Sequence, residues 1–270
     1  MYATFPTMAR SPDSVRLLSL TQLNRSVYEA VIEYRSDPII HFFPGQYLEL
    51  IIDREAFPFS IASAFNNQKS LQHQDDHVQI IDLHIGVSTT NSQSQKIIDH
   101  LQADKPFSLS LPKGSCYYDD TSDDPIIIIA ASTGFAQAKS IIEHCSLYQK
   151  EQAIHLYWGT REQESLYMTH LLDKWSRQLN NITIHIAIQD EDGVLPKERE
   201  HLTPSIPIRR GMLKEVLVED YTDLSPFKIF LCGSPNMVHH TLKALYPLNL
   251  RRENTFSDVF EYAPNMDDSQ

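Results

Sequence analysis

Cysteine is scarce in this sequence, and its three residues, Cys116, Cys145 and Cys232, lie far apart. Their spacing matches no zinc or iron–sulfur site and provides no disulfide framework. The twelve histidines are also scattered, and the adjacent pair His239–His240 would point to different faces of a helix. The sequence therefore predicts no metal site.

Positive charge is also in deficit. Lys and Arg number 23 against 35 Asp and Glu, which gives a formal net charge of −12. Nucleic acids and anionic membrane surfaces bind to basic patches, so this balance argues against both as partners. No apolar run approaches the roughly 18 residues of a membrane-spanning helix, and the first residues lack the apolar core of a signal peptide. We therefore expect a cytoplasmic protein with no membrane span.

Hydrophobic residues are plentiful at 41%, which is enough for a core in each of two domains of ordinary size. The Asp-rich stretch YYDDTSDDP, residues 117–125, interrupts the periodic pattern and divides the chain. Six short β-rich segments precede it, together with one helical pattern at residues 92–102 whose buried stripe would be Ile97, Ile98 and Leu101. This content favours a small closed antiparallel barrel of six strands, which we assign to residues 12–116.

Beyond the Asp-rich stretch, apolar strands alternate with amphipathic helices. Each of four predicted strands precedes a helix: PIIIIAA, AIHLYWG, ITIHIAI and FKIFLCG. This alternation indicates a doubly wound parallel sheet, assigned to residues 124–262. Such sheets bind ligands at the carboxyl ends of their strands, so the loops of interest are 131–134, 159–163, 189–193 and 232–236.

The order of these features resembles the ferredoxin–NADP reductase superfamily, and within it the small bacterial NAD(P)H:flavin reductases. The resemblance covers residues 12–262 and rests on stretches in the family's order: FFPGQYLELIID, FPFSIAS, LHIGVS, AASTGFAQAKSII, YWGTREQESLY and LCGSPNMV. It implies a flavin-binding barrel followed by an NAD(P)-binding domain. It also implies an oxidoreductase that transfers hydride from NADH or NADPH to riboflavin, FMN or FAD at the interdomain crevice.

The stretch FPFSIAS would form the flavin site according to this resemblance. Pro58, Phe59 and Ser60 would run beside the isoalloxazine ring, and Ala62 and Ser63 would complete the motif. The Ser60 hydroxyl would lie near N5, the flavin atom that accepts hydride, which makes Ser60 the candidate catalytic residue. The alternative is an ordinary barrel strand with a buried Phe.

Phe57 is a departure from the family, which has an arginine here that commonly holds a flavin phosphate. One lost charge-assisted contact corresponds to about 1.5–3 kcal/mol. We therefore expect flavin to be held by its ring and to exchange as a diffusing substrate. If the flavin is retained instead, the start of the barrel helix, Ser88–Ser94, would supply the phosphate contacts.

The resemblance also implies a pyrophosphate loop after the first strand of the sheet. The family's double glycine is replaced by Ala131 and Ser132, and a left-handed Ser132 would carry strain of about 1–2 kcal/mol. Nucleotide binding is expected to be weakened and not lost, because the next helix still offers its N-terminal amides. The loop residues are Ala130, Ala131, Ser132, Thr133 and Gly134.

Two further positions complete the implied nucleotide site. Cys232 and Gly233 would lie against the nicotinamide ring, and Arg161 would lie near the adenosine ribose. A buried structural cysteine and a solvated loop arginine explain these residues equally well, and NADH and NADPH are not distinguished.

Two other functions stay open. One is a flavin-retaining reductase component of an oxygenase or other electron-transfer pair, although no cluster-binding cysteines are present. The other is a non-catalytic relic that binds a nucleotide or a partner, which the changes at Phe57, Ala131 and Ser132 would favour. The aromatic tail FSDVFEY, residues 256–262, is expected to finish the last strand. The alternative for Phe260 and Tyr262 is a lid over the flavin.

Overall fold

A computed structural model describes residues 14–65, 77–88, 92–189, 201–203 and 206–264. The chain forms two compact units. The first contains the residues up to Tyr118 together with Lys139–His144, and the second contains Asp119–Ala138 and the residues from Cys145 onward. The domain boundaries drawn from the sequence, 12–116 and 124–262, stay a prediction.

The described residues of the first unit form six antiparallel strands and one helix, as predicted. The strands form two three-stranded sheets in the orders β1-β2-β5 and β4-β3-β6, and an isolated bridge joins Ile61 to Leu83. The elements are β1 Val15–Asn24, β2 Val27–Arg35, β3 Tyr47–Ile52, β4 Glu55–Ser60, β5 Val78–Gly86, α1 Ser92–Gln102 and β6 Ser108–Lys113.

Alternation of apolar and polar residues along the strands explains how they form a core. In β3, Leu48, Leu50 and Ile52 are buried while the residues between them are partly exposed, because successive side chains of a strand point to opposite faces. Helix α1 buries Ile97, Ile98 and Leu101, the predicted stripe, and these join the same hydrophobic core.

The second unit is built on a seven-stranded sheet in the order β10-β11-β9-β8-β7-β12-β13. All neighbours are parallel except the hairpin β10–β11. The strands are β7 Ile126–Ala131, β8 Ile154–Thr160, β9 Ile182–Ile188, β10 His201–Thr203, β11 Ile206–Arg210, β12 Lys228–Cys232 and β13 Thr255–Phe256.

Helices connect these strands and cover the sheet. The central strand β7 is fully buried over residues 126–130, as expected of a parallel strand covered on both faces. The predicted doubly wound fold is therefore confirmed. The helices are α2 Phe135–Leu147, α3 Thr169–Gln178, α4 Leu213–Asp220, α5 Pro235–Leu245 and α6 Val259–Tyr262.

The strand order reverses at β7. Strand β8 lies on one side of β7 and β12 on the other, so the connections leaving β7 and β12 diverge. Such a switch point opens a crevice at the carboxyl ends of the two strands, where doubly wound sheets bind ligands. The loops after Ala131 and Cys232 flank this point.

The edges of the sheet differ from the sequence prediction. Strand β11 was missed because Pro207 and two arginines break its apolar pattern, yet residues 208–210 pair with β9. The prediction of a continuous last strand over FSDVFEY is wrong beyond Phe256. The Ser257 hydroxyl donates to the Leu231 carbonyl oxygen at 2.7 Å, and the chain then turns into α6. No helix in the described part of the chain is long and apolar enough to cross a membrane.

Candidate functional site

Strand β4 presents the predicted flavin stretch on the edge of its sheet. Pro58 is exposed, and Phe59 and Ser60 are half-buried. Proline lacks an N–H and is tolerated on an edge strand. In the described part of the chain β4 pairs only with β3, so its outer edge has no strand partner there.

Ala62 and Ser63, just after β4, are buried. The Ala62 N–H donates to the Asp82 carbonyl oxygen at 2.8 Å, and Ser63 Oγ accepts from the Asp82 N–H at 3.1 Å. The Ala62 carbonyl accepts from Lys139 Nζ at 3.0 Å, and the Ser63 carbonyl accepts from Ser140 Oγ at 2.9 Å. These bonds fix the chain immediately beyond Ser60.

Lys139 is a buried cation that the sequence analysis missed. Its side chain is 6% exposed, and Nζ lies 3.1 Å from Asp82 Oδ2 and 2.9 Å from Glu143 Oε1. Burial by itself would lower the pKa of Lys139, but the charges of Glu143 and Asp82 outweigh it and raise the pKa above its ordinary value. The available signal was one lysine among the apolar and small residues of AQAKSII.

Phe57 lies in the barrel core, with 8% of its surface exposed, opposite Leu50 of β3. The position where the family places a phosphate-binding arginine is therefore an apolar packing position in this chain. Phe57 is thus buried as in an ordinary barrel strand, whereas Phe59 and Ser60 are partly exposed.

The loop after β7 keeps the left-handed turn that glycine usually occupies. Residues 132–134 form one turn of 3₁₀ helix that leads into α2, and Ser132 has φ of 50°. The Trp158 indole N–H donates to the Ser132 carbonyl at 3.0 Å, and the Trp158 ring stacks on Phe135 at 4.2 Å between centroids. These contacts hold Ser132 in its strained conformation.

Gly134 is required where this loop meets the end of β12. A Cβ at position 134 would overlap the carbonyl oxygen of Cys232. Cys232 itself is buried, and burial raises the pKa of its thiol well above the ordinary value, with the charge of Asp258 adding to the effect. Cys232 is thus a neutral thiol that contributes a small apolar contact, followed at once by Gly233.

A cavity of about 690 Å³ opens at the carboxyl ends of the central strands, beside the starts of α4 and α5. None of the described residues that line it is acidic, although the chain has a net charge of −12, whereas Arg161 and Lys214 both line it. Its size is in the range of small-molecule sites, and its charge suits an anion. The other lining residues are Ala131, Ser132, Gly159, Thr160, Ser165, Ala187, Gln189, Gly211, Met212, Leu213, Ser234, Asn236, Met237, His240 and Thr241.

The structure brings together part of the predicted nucleotide set. Ala131, Ser132 and Arg161 line the cavity. Cys232 ends β12 beside Gly134, Gly233 follows it, and neither residue lines the cavity. Ala130 is buried within β7. Thr133 is half-buried in the turn between Ser132 and Gly134.

Other predictions fall partly outside the described residues. Positions 190–193 of the third loop and 89–91 at the start of the barrel helix are among these. The tail residues Phe260 and Tyr262 lie in α6, where the Arg252 guanidinium covers the Phe260 ring at 3.7 Å and Tyr262 is 63% exposed.

Comparison with known proteins agrees with this arrangement. Residues 128–243 match the oxidoreductase NAD-binding domain family. A probable flavin reductase of Aliivibrio fischeri is 30% identical over 253 residues, which is 92% of this chain and 97% of that protein. An NAD(P)H-flavin reductase of Vibrio harveyi is 25% identical over 81% of this chain and 85% of its own length.

Solved structures share the fold at low identity. An Amycolatopsis cytochrome P450 reductase has a TM-score of 0.77 at 19% identity, covering 95% of this chain and 71% of its own. A ferredoxin-NADP+ reductase of Plasmodium falciparum has a TM-score of 0.68 at 14% identity, covering 95% and 97%. These structures share the fold of the ferredoxin–NADP reductases, and the 30% identity over nearly the whole length of the Aliivibrio protein shows that the chain belongs to the family of the bacterial flavin reductases.

Proposed function

We propose that this protein is an NAD(P)H:flavin oxidoreductase that reduces riboflavin, FMN or FAD as exchanging substrates. The observation that carries the proposal is the cavity at the switch point of the sheet, which has cationic and no described acidic walls. The flavin reductase relatives, one matched over 97% of its length, supply the reaction class.

NAD(P)H would be held by the second unit. The first amides of α2 and the hydroxyls of Ser132 and Thr133 suit the pyrophosphate, because a helix N-terminus attracts anions. Met212 and Leu213 offer an apolar wall for the adenine. The nicotinamide would lie at the end of β12 next to Cys232, which is buried and does not itself line the cavity.

Arg161 and Lys214 bear on the choice between NADH and NADPH. Both cations line the cavity, and no described lining residue is a carboxylate that would repel a ribose phosphate. We therefore propose that NADPH is accepted as well as NADH.

Flavin would lie along β4 of the first unit. Pro58, Phe59 and Ser60 present an accessible edge, and the Ser60 hydroxyl would stabilise charge developing at N5. The flavin supplies the ability to accept hydride, so that NAD(P)H, oxidised flavin and a proton give NAD(P)+ and reduced flavin. The protein contributes alignment and hydrogen bonds.

The test is steady-state oxidation of NADH and NADPH with riboflavin, FMN and FAD. Turnover with free riboflavin is the expected result, and no oxidation with any pair would favour the non-catalytic relic. Ser60→Ala should lower turnover at least several-fold with unchanged thermal stability, because one hydroxyl on a half-buried strand position is removed. An unaltered rate would exclude Ser60 from the chemistry.

A second candidate is a reductase component that passes electrons to a separate protein. Its support is a Yersinia pestis relative named a dehydrase reductase, 24% identical, of which this chain covers 64%. The three cysteines of this chain lie far apart in sequence and match no cluster spacing, so an iron–sulfur carrier would be another protein. A flavin-using oxygenase that consumes the reduced flavin is the partner we propose for the first candidate. The cytoplasmic location stays a prediction.

A further inference from the structure

Asp220, the last residue of α4, is bound by side chains from β8, β9 and β11, three neighbouring strands of the sheet. The Tyr157 hydroxyl of β8 donates to Asp220 Oδ2 at 2.8 Å, and the Arg209 guanidinium of β11 donates to the same oxygen. His185 of β9 has its Nδ1 3.7 Å from that oxygen, and its ring stacks on Tyr157 at 4.2 Å between centroids. The sequence analysis did not identify Asp220.

An acid at this end of a helix is unfavourable unless a cation compensates it. The last carbonyls of a helix carry partial negative charge, which repels Asp220 and the preceding Glu219. Arg209 offsets both, because its other terminal nitrogen donates to Glu219 Oε2. Burial by itself would raise the pKa of Asp220, but the hydrogen bonds from Arg209 and Tyr157 outweigh it and lower the pKa below its ordinary value. Asp220 is therefore an ionised carboxylate near neutral pH, and the sheet supplies its donors.

The opposite end of α4 belongs to the wall of the large cavity. Residues 212–214 line it. The chain enters α4 through Gly211, which has φ of 124° and whose N–H donates to the Ile188 carbonyl oxygen at 3.0 Å. A Cβ at Gly159 would overlap the Leu213 side chain, so the first residue of α4 packs directly on β8.

Helix α4 is short, so its orientation depends on what holds each end. It has eight residues, Leu213–Asp220, which corresponds to a length of about 12 Å, and so short a helix has little stability of its own. The turn at Gly211 fixes where α4 begins. The bonds at Asp220 fix its tilt and its rotation about the helix axis, and the rotation determines whether Lys214 faces the cavity.

We propose that Asp220 is a positioning residue for nucleotide binding, because its attachment to three strands keeps residues 212–214 in place as a wall of the cavity. This inference rests on the proposed function, which puts NAD(P)H in that cavity. Asp220 does not line the cavity itself. Its effect is therefore on the affinity for the nucleotide, and neither flavin binding nor the hydride transfer step depends on it.

The experiment measures kcat, the KM for NADPH and the KM for riboflavin in the wild type and in variants. Asp220→Ala should raise the KM for NADPH about 10-fold, because one charge-assisted contact to the nucleotide is misplaced, and should leave the other two parameters unchanged. The KM for NADH should rise less, since NADH lacks the ribose phosphate that Lys214 would meet. Tyr157→Phe removes one donor, and Asp220→Asn keeps an acceptor oxygen, so both should give a smaller rise than Asp220→Ala.

Glu219→Gln is the matched control. Glu219 is the neighbouring carboxylate on the same helix end and is bound by the same arginine, but its side chain is 71% exposed. Removing its charge leaves the attachment of Asp220 to the sheet in place. All three kinetic parameters of Glu219→Gln should therefore equal those of the wild type.

An unchanged KM for NADPH in folded Asp220→Ala would overturn the proposal. An equal rise in the KM for riboflavin would also overturn it, because the substitution would then act on the whole fold. If Asp220→Ala does not fold, Asp220→Asn and Tyr157→Phe decide by the same comparison, and if the wild type uses only NADH, the KM for NADH takes the place of the KM for NADPH.

Calorimetric titration with NADP+ and NAD+ separates this inference from the proposed function, because it needs no turnover. If the wild type oxidises neither nucleotide but binds one of them, the proposed function fails. A weaker Kd in Asp220→Ala and not in Glu219→Gln then still supports the role of Asp220, and an equal Kd in all three proteins overturns it. A wild-type protein that binds neither nucleotide overturns both.

Discussion

Ser132 and Asp258 each lower the stability of the folded state at the position they occupy. Ser132 occupies a left-handed conformation with φ of 50°, and Asp258 buries a carboxyl beside Glu261. The two lie in the loop after β7 and just after β13, so the costs are located near the carboxyl edge of one sheet. Strain and perturbed acids of this kind are typical of binding sites.

Ser132→Gly should raise the free energy of unfolding by about 1 kcal/mol, because glycine adopts positive φ without the Cβ clash. It should also lower the KM for NAD(P)H by letting the backbone approach the pyrophosphate. Ala131→Gly is the control, since Ala131 has φ of −118° and gains nothing from glycine. Denaturant titration and initial rates check both effects. Equal stabilisation by the two substitutions would contradict the argument.

Asp258→Asn should stabilise the protein at pH 8 and not at pH 4. Burial raises the pKa of Asp258 to about 7 in the folded state from its ordinary value of 3.8, and repulsion from Glu261 adds to this, so the folded state binds the proton more tightly. Stability is therefore lost as pH rises from about 4 to 7, by up to about 4 kcal/mol for a three-unit shift. Urea unfolding of both proteins at the two pH values measures this. An equal gain in unfolding free energy at pH 4 and pH 8 would show that the ionisation of Asp258 is not the cause.

At the scale of elements, the middle of α2 forms hydrogen bonds that stabilise the barrel unit. Lys139 and Ser140 donate to the carbonyls of Ala62 and Ser63, and Lys139 also pairs with Asp82. The segment 139–144 accordingly belongs to the first unit. Its polar bonds define where the chain beyond β4 lies.

Lys139→Met should lower the free energy of unfolding by about 3–5 kcal/mol, because it leaves the carboxylates of Asp82 and Glu143 without their buried cation. Lys139→Arg retains the charge and should recover most of the loss. Both values come from chemical denaturation near neutral pH, where Lys139 is fully charged. A loss of less than about 1 kcal/mol of unfolding free energy would contradict this, because it would mean that water solvates the two carboxylates when the ammonium is absent.

Elements with clear periodicity were predictable and those at the sheet edges were not. Apolar runs such as IIII in β7 and the 3.6-residue stripe of α1 depend on neighbours in sequence. Strand β11 depends on its pairing with β9, which overrides the unfavourable Pro207. The turn into α6 depends on one hydroxyl bond from Ser257 to Leu231, 26 residues away.

For the whole molecule, the order of the motifs was enough to predict the fold, the family and the loops around the switch point. The side-chain partners that are distant in sequence were beyond sequence reasoning. Gln137 meets Asp258 across 121 residues, and Lys139 meets Ala62 across 77. Nothing in the local pattern of Gln137 or Lys139 indicates such a partner, because both hydrogen bonds join segments that meet only in the folded chain.

Phe57 determines how the molecule should handle flavin. Its ring is part of the barrel core, so β4 offers no guanidinium at this position. In the function we propose, the flavin contacts are left to Pro58, Phe59 and Ser60. We expect a purified protein that is colourless or nearly so, with similar kcat/KM for riboflavin, FMN and FAD. Absorbance of the purified protein and initial rates with the three flavins test this.

Restoring the arginine should not restore phosphate binding. Phe57→Arg would place a cation among apolar side chains, which should cost at least about 3 kcal/mol of unfolding free energy and leave flavin preference unchanged. Phe57→Leu, which keeps the core apolar, is the control and should lose less. A stable Phe57→Arg variant that selects FMN over riboflavin would show that this side chain reaches the surface. A yellow wild-type protein with stoichiometric FAD would favour the electron-transfer component, with phosphate contacts elsewhere on the barrel.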